Sequence, residues 1–309
     1  MRRENFTFKG SDDLDVFVYK WFEENTDNIK GIVQIAHGMA EEASRYEYFA
    51  QKLVENGYIV YANDHRGHGK TAKTLENVGY LGENKGFELL VKDMHSLTNI
   101  IKSENNEIPI YLFGHSMGSF ASQMYIMEYG DLIEGLILSG SNGSQGKILN
   151  LAEIICKNQI KKYGRKAKSE LLDNLIFGSN NKLFKPTRTQ FDWLSRDEKE
   201  VDKYIENQFC GTLFTCGFFY DFIQGLKFIE DKNNFTKINQ DLPIFIFSGD
   251  KDPVGKNGKG ILKLKDRYMN IGCKDIEFRL YKDGRHEMLN ELNKDEVIDD
   301  VIKWLNKSK

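Results

Sequence analysis

Cysteine is scarce in this chain. Its 309 residues hold four (Cys156, Cys210, Cys216 and Cys273), with no C-x-x-C pair among them. That scatter argues against a disulfide framework or a zinc ribbon and for free, reduced thiols. Charge of one sign is lacking too: 43 Lys and Arg against 46 Asp and Glu leave a net charge of -3. A nucleic-acid partner would call for a clustered basic excess, so none is expected. Long apolar runs are missing. The best one, Cys210 to Leu226, is too short for a bilayer and contains Asp221 and three glycines. Behind Met1, Arg2 and Arg3 lead into no apolar stretch, so neither a Sec nor a Tat signal is read there. Repeats, low-complexity tracts and Pro-rich linkers are absent as well. These absences point to a cytoplasmic, soluble protein with no integral membrane segment.

What is present is a globular composition, 40% hydrophobic and 29% charged, in a length that suits one large domain with an insertion or two ordinary domains. Asn5–Lys9 and Leu14–Trp21 read as a hairpin turned by Gly10-Ser11-Asp12-Asp13. Strands are expected at Ile29–Ile35, Tyr58–Ala62, Ile110–Phe113 and Glu134–Leu138. Helices at Arg45–Asn56, Gly86–Ile101 and Ser116–Tyr129 alternate with them. The rhythm breaks from about residue 143 to 237 and resumes with strand Ile244–Ser248, helix Gly258–Ile271, strand Asp275–Tyr281 and helix Asp295–Asn306. This order predicts an α/β fold: a mostly parallel sheet flanked by helices. Residues 1–142 and 237–309 form its core, and a mainly helical cap, 143–236, is inserted between the two parts.

The chemistry begins at Gly114-His115-Ser116-Met117-Gly118, where an apolar strand pattern meets a helix pattern. Small residues on either side of the serine allow a sharp turn that presents its hydroxyl beside a helix N-terminus. The pentapeptide alone is a weak signal, since ordinary turns collect the same residues. A nucleophilic serine also needs a base, and an acid to orient that base. In an α/β-hydrolase sheet they follow in the order Ser, Asp or Glu, His. Of the six histidines only His286 lies beyond Ser116, in a loop just past the strand Asp275–Tyr281. The acid belongs at another strand end, where Asp250 and Asp252 are both eligible and spacing does not choose. Oxyanion donors are expected from the backbone N–H of Met117 and, in the loop His37-Gly38-Met39, from that of Met39.

Further blocks extend the pattern: His37-Gly38-Met39-Ala40-Glu41 with Arg45-Tyr46, Asn63-Asp64-His65-Arg66-Gly67-His68-Gly69, and Gly249-Asp250-Lys251-Asp252-Pro253-Val254. Together with the serine pentapeptide they resemble the monoacylglycerol lipase and lysophospholipase-like branch of the α/β-hydrolases, in the family's order and over nearly all of the catalytic portion. The cap resembles it much more loosely. The resemblance implies that Asp252 is the acid. It also implies hydrolysis of a carboxylic ester, a monoacylglycerol or lysophospholipid, through an acyl-enzyme and without a cofactor. An aminopeptidase or thioesterase on the same triad, or a weakly catalytic small-molecule binding protein, are the alternatives. Ser119, Glu42 and Thr71 depart from the residues common in the family (Gly, His and Ser), and the first two bear on substrate preference.

Other patterns carry less. Gly69-Lys70-Thr71 lacks the opening glycine of a phosphate loop, and His65 and His68 lack metal-ligand spacing. His115 is expected to pack behind the turn. The cap's apolar residues Ile148, Leu149, Leu151, Ala152, Ile154 and Ile155 precede a basic run from Lys157 to Lys168. A core-facing helix with a solvated basic face is favoured over a lid touching anionic lipid, although transient contact with a membrane surface is compatible with the pattern. Phe214, Phe218 and Phe219 are candidates for an acyl pocket, with cap packing as the ordinary account. Asp197, Glu198, Glu200 and Asp202 read as a solvated helix face, not an amine site.

Overall fold

A computed structural model describes residues 1–24, 28–105 and 107–307. In chain order its strands are β1 Arg2–Lys9, β2 Asp15–Phe22, β3 Gly31–Ala36, β4 Tyr58–Asn63, β5 Ile110–His115, β6 Gly135–Ser139, β7 Ile244–Gly249 and β8 Ile276–Tyr281. They form one sheet in the order β1-β2-β4-β3-β5-β6-β7-β8. β1 and β2 pair antiparallel and so do β2 and β4, while every pair from β4 to β8 is parallel. This is the α/β-hydrolase architecture.

The helices are α1 Glu47–Glu55, α2 Gly86–Glu104, α3 Met117–Tyr129, α4 Ile148–Tyr163, α5 Glu170–Phe177, α6 Glu198–Glu206, α7 Cys216–Glu230, α8 Lys232–Phe235, α9 Lys259–Asn270 and α10 Lys294–Lys307. Strands β3 to β7 are buried at every residue, as expected where helices cover both faces of a parallel sheet. Alternate residues serve opposite faces. Ile32, Leu112 and Ile244 pack with α2, α3, α7 and α9, whereas Val33, Phe113 and Phe245 pack with α1 and α10. The edge strand β1 is largely exposed and the opposite edge, β8, is mostly half-buried.

Between β6 and β7, which are sheet neighbours, the chain makes α4 to α8. Phe218, Phe222 and Ile223 of α7 share one apolar cluster with α2 and α3, so this helix is part of the main core. A separate small cluster gathers Trp193, Leu194, Tyr204 and Cys210. Helix α4 faces the core as expected through Leu149, Ala152, Ile155 and Cys156, but it carries a second apolar stripe that the core does not take up. Leu149 and Cys156 are its buried residues, while Ile148, Leu151 and Ile154 are 63%, 58% and 57% exposed on the outside. Among the described residues no helix is long and apolar enough to cross a membrane.

The sheet-to-helix junction that matters most is β5 to α3. A Cβ at Gly118 would collide with the Ala36 carbonyl of β3 and with His37 O, and one at Gly114 with Ser122 Oγ and Gly118 O. At Gly118 every one of these contacts is with backbone, which cannot give way as a side chain can. Gly118→Ala is therefore expected to cost about 3 kcal/mol, the upper end of ordinary overpacking. Urea unfolding with an unchanged slope would register it as a lower midpoint.

Candidate active site

Ser116 stands at the turn between β5 and α3 with φ 51 and ψ -118, a conformation side chains rarely adopt. Its N–H donates to Ser139 O of the neighbouring strand at 3.0 Å, and its carbonyl accepts from Ser119 N and Ser119 Oγ at 2.9 and 2.6 Å. These bonds hold the turn from both sides. Because α3 begins at Met117, helix geometry leaves the Met117 N–H without an intrahelical acceptor. Met39, on the loop after β3, lines the same cavity as Ser116.

His286 lies in the loop after β8, within that cavity. Its Nδ1 is 2.9 Å from Asp252 Oδ1. Asp252 is fully buried and accepts two more hydrogen bonds, from Ser248 Oγ at 2.9 Å and from Val254 N at 2.9 Å. Of the two aspartates, Asp252 is the one bonded to the histidine. Asp250 accepts instead from Asp283 N at 2.8 Å, in the loop after β8. The cavity above Ser116 is about 480 Å³. Its lining combines apolar and aromatic side chains (Phe177, Phe191, Trp193, Leu213) with the amides and hydroxyl of Asn174, Asn181, Gln190 and Thr212.

The model of the family described as "Serine aminopeptidase, S33" matches residues 27–293. The chain belongs to the serine aminopeptidase S33 family. A monoacylglycerol lipase of Mycolicibacterium smegmatis is 28% identical over 98% of this chain and 97% of its own length. A probable lysophospholipase L2 of Haemophilus influenzae is 23% identical over 90% and 83%. Among solved structures, a thermostable carboxyl esterase from Bacillus coagulans superposes with a TM-score of 0.91, at 27% identity over 99% of both chains.

Electrostatics separates the histidines of this S33 protein. Burial lowers His37 and His68 to about 3 and His115 to about 4, and lowers His65 and His95 as well. His286 alone is raised: burial pushes it down, but the Asp252 charge and hydrogen bond outweigh burial. Asp252 shows the mirror image, lifted by burial and held below its ordinary value by His286 and its two other donors. His65 and His68 pack with His37 as a buried ring cluster, centroids 4.3 and 5.1 Å from His37. His115, expected behind the turn, sits with its ring 4.7 Å from His286 and its Nδ1 3.2 Å from Ser139 Oγ.

One expectation of the S33 chain's pocket fails. Phe214, Phe218 and Phe219 are at most 1% exposed and do not line the cavity. Phe214 and Phe218 pack on His68, and Phe218 on Phe222, so they are core residues of α7 and its approach. The aromatic wall comes instead from residues 177–204, which sequence reading passed over because that segment shows no periodicity. Trp193 lies 5.0 Å from the His286 ring, and its carbonyl accepts His286 N at 3.4 Å. Neither Ser119 nor Glu42 lines the cavity; Glu42 caps the turn at Ser44 and accepts from Asn207 Nδ2 at 2.9 Å. Asp197 caps α6, while Glu200 and Asp202 pair with Lys294 and Arg188, all outside the cavity.

The raised histidine is open to direct test by ring-nitrogen NMR. His286 is expected to titrate above the usual value of about 6.5, and His37, His68 and His115 to stay neutral through pH 5. Asp252→Asn removes the charge that favours imidazolium and leaves the burial, so His286 should then titrate below its ordinary value.

Proposed function

We propose that this protein is a serine hydrolase whose substrate is a single-chain acyl ester, a monoacylglycerol before a lysophospholipid. Ser116 Oγ attacks the ester carbonyl while His286 takes its proton, and Asp252 orients the imidazole and stabilises the imidazolium. The N–H groups of Met39 and Met117 receive the oxyanion. His286 then protonates the leaving alcohol, and water activated by the same histidine hydrolyses the acyl-enzyme. One observation carries this reading: a strained serine at a strand-to-helix turn opens into the same cavity as a histidine bonded to a buried aspartate.

The cavity supports the substrate class. Its aromatic and apolar lining suits an acyl chain, and its amides and hydroxyl suit a hydroxylated headgroup. Among the described residues its lining holds no Lys or Arg, but it holds Glu41, Glu170, Asp173 and Glu287. Anionic headgroups are disfavoured there. The cap, residues 143–236, supplies most of the wall around the headgroup and is the element we assign to substrate choice.

A second reading has its own observation. Asp173, on the wall formed by α5, has its carboxyl raised by burial alone, and the family's description names an aminopeptidase. A carboxylate at that place would meet an amino terminus. A panel of monoacylglycerols, lysophospholipids, p-nitrophenyl esters and aminoacyl amides separates the two. Monoacylglycerol turnover should exceed aminoacyl amide turnover by at least about tenfold, and Ser116→Ala should lower it on the order of 10⁴-fold or more. Activity that survives Ser116→Ala would end the mechanism, and faster amide turnover would end the choice of substrate.

The outward face of α4 supports transient contact with a lipid surface. Ile148, Leu151 and Ile154 are exposed there, and Lys161 and Lys162 follow in its last turn. Co-flotation with anionic vesicles should exceed that with neutral ones. The triple change to serine at the three apolar positions should abolish it while leaving hydrolysis of soluble p-nitrophenyl butyrate within about twofold of wild type.

A further inference from the structure

Two loops have to be held in fixed relation for the reaction proposed above: the one carrying Met39 and the one carrying His286. Between them lies Arg45, just before α1. Its Nη1 is 2.6 Å from Glu41 Oε2 and 2.8 Å from Glu287 Oε1, and its Nη2 is 2.7 Å from Glu287 Oε2. The Glu287 contact is thus bidentate, the geometry that fixes orientation as well as distance. All three side chains are nearly sealed from solvent, at 10% exposure for Arg45, 4% for Glu41 and 7% for Glu287.

Each carboxylate is anchored on its own loop. Glu41 Oε1 accepts from Gly38 N at 2.5 Å and from Tyr46 OH at 2.9 Å, which fixes the peptide just ahead of Met39. Glu287 directly follows His286; its N–H donates to Leu194 O at 2.8 Å, and its Oε2 accepts from Asn290 Nδ2 at 2.8 Å. The insertion closes the assembly from above. Tyr204 lies over the guanidinium at 4.8 Å, and its hydroxyl donates to Ala40 O at 2.8 Å.

We propose that Arg45, clamped between Glu41 and Glu287, is a positioning residue that locks the oxyanion loop to the loop of the catalytic histidine. The inference rests on the assignment of Ser116 and His286 above. Arg45 bonds to carboxylates on both sides and has no part in the proton transfers, so it acts through other groups. The cluster holds two carboxylates against one guanidinium, and the surplus negative charge lies beside His286. The groups facing that imidazole are Asp252, His115, Glu41 and Glu287, and the three carboxylates all favour its cationic form.

The test uses p-nitrophenyl butyrate, with active Ser116 counted by fluorophosphonate labelling so that kcat refers to folded sites. Arg45→Met should lower kcat by about 10- to 100-fold, the loss expected when catalytic groups shift by about an ångström, with KM changed less than threefold. Arg45→Lys keeps the charge without the fork and should recover part of that loss. Glu287→Gln keeps a hydrogen-bond acceptor but removes a charge, so the acid limb of the kcat/KM profile should move to lower pH. That shift is one a merely structural residue would not produce. A kcat within twofold of wild type per labelled site in Arg45→Met would overturn the proposal. So would an unmoved acid limb in Glu287→Gln, which remains measurable if Arg45→Met fails to fold. Wild-type Ser116 that resists labelling would instead overturn the functional reading beneath it.

Discussion

The structure depends first on how closely α3 approaches β3. Gly118 brings the first turn of the helix against the carbonyls of Ala36 and His37 with no room for a Cβ. That approach sets the angle at which the chain leaves β5, and the angle forces Ser116 into positive φ. A strained residue persists only where its surroundings over-determine it. Here the bond to Ser139 O, the bonds from Ser119 and the packing of Gly114 on Ser122 supply that determination. The strain is thus distributed over three buried strands. The loop after β3, which carries Met39, begins at the residues whose carbonyls Gly118 touches, so Ser116 and that loop are placed by one contact.

Charge placement follows a second constraint. A buried carboxylate is costly unless it is bonded on every side, and Asp252 meets that condition with three donors, one of them the histidine it orients. The other histidines near the cavity are buried without a carboxylate bonded to the ring, and burial drives them neutral. His286 is thereby the one imidazole held toward its cationic form, and His115 is the other that lines the cavity. His115 illustrates the rule: its ring touches His286, yet its own hydrogen-bond partner is a hydroxyl, which does not stabilise an imidazolium as a carboxylate does.

Much of this was legible in the sequence, for reasons that also mark the limit. Central parallel strands are apolar on both faces, so β3 to β7 stood out as short unbroken runs. Chain order left His286 as the single eligible base because five of the six histidines precede or adjoin Ser116. The aspartate was undecidable from spacing, since Asp250 and Asp252 share one turn and only burial tells them apart. Phe214, Phe218 and Phe219 misled for the opposite reason: an aromatic cluster has the same composition whether it lines a cavity or fills a core. Of the actual wall, Phe177 closes the short helix α5, and Phe191 and Trp193 lie in an irregular stretch with no period to read. The partners of Arg45 lie 4 and 242 residues away, and no local pattern reports the longer of these separations.

The insertion also divides by the kind of bond that holds it. Residues 193–211 are tied to the reaction loops through their backbone: Trp193 O and Leu194 O accept from His286 and Glu287, and Gly211 N donates to Ala40 O. Ser195 Oγ and Arg196 add bonds to Asn290 and Glu291. Helices α4 and α5 have no such backbone ties to those loops among the described residues. α4 meets the body through α7, by apolar packing and by ion pairs such as Lys227 with Glu153 at 2.6 Å, and α5 stacks Phe177 on Trp193. Backbone ties fix a geometry whatever the side chains are, whereas side-chain packing can be rebuilt by substitution without moving the reacting groups. The 193–211 segment thus ties down the loops carrying Met39 and His286 and also places Trp193, Leu194, Tyr204 and Gly211 on the cavity wall, whereas α5 adds Asp173, Asn174 and Phe177 to that wall without backbone ties to those loops.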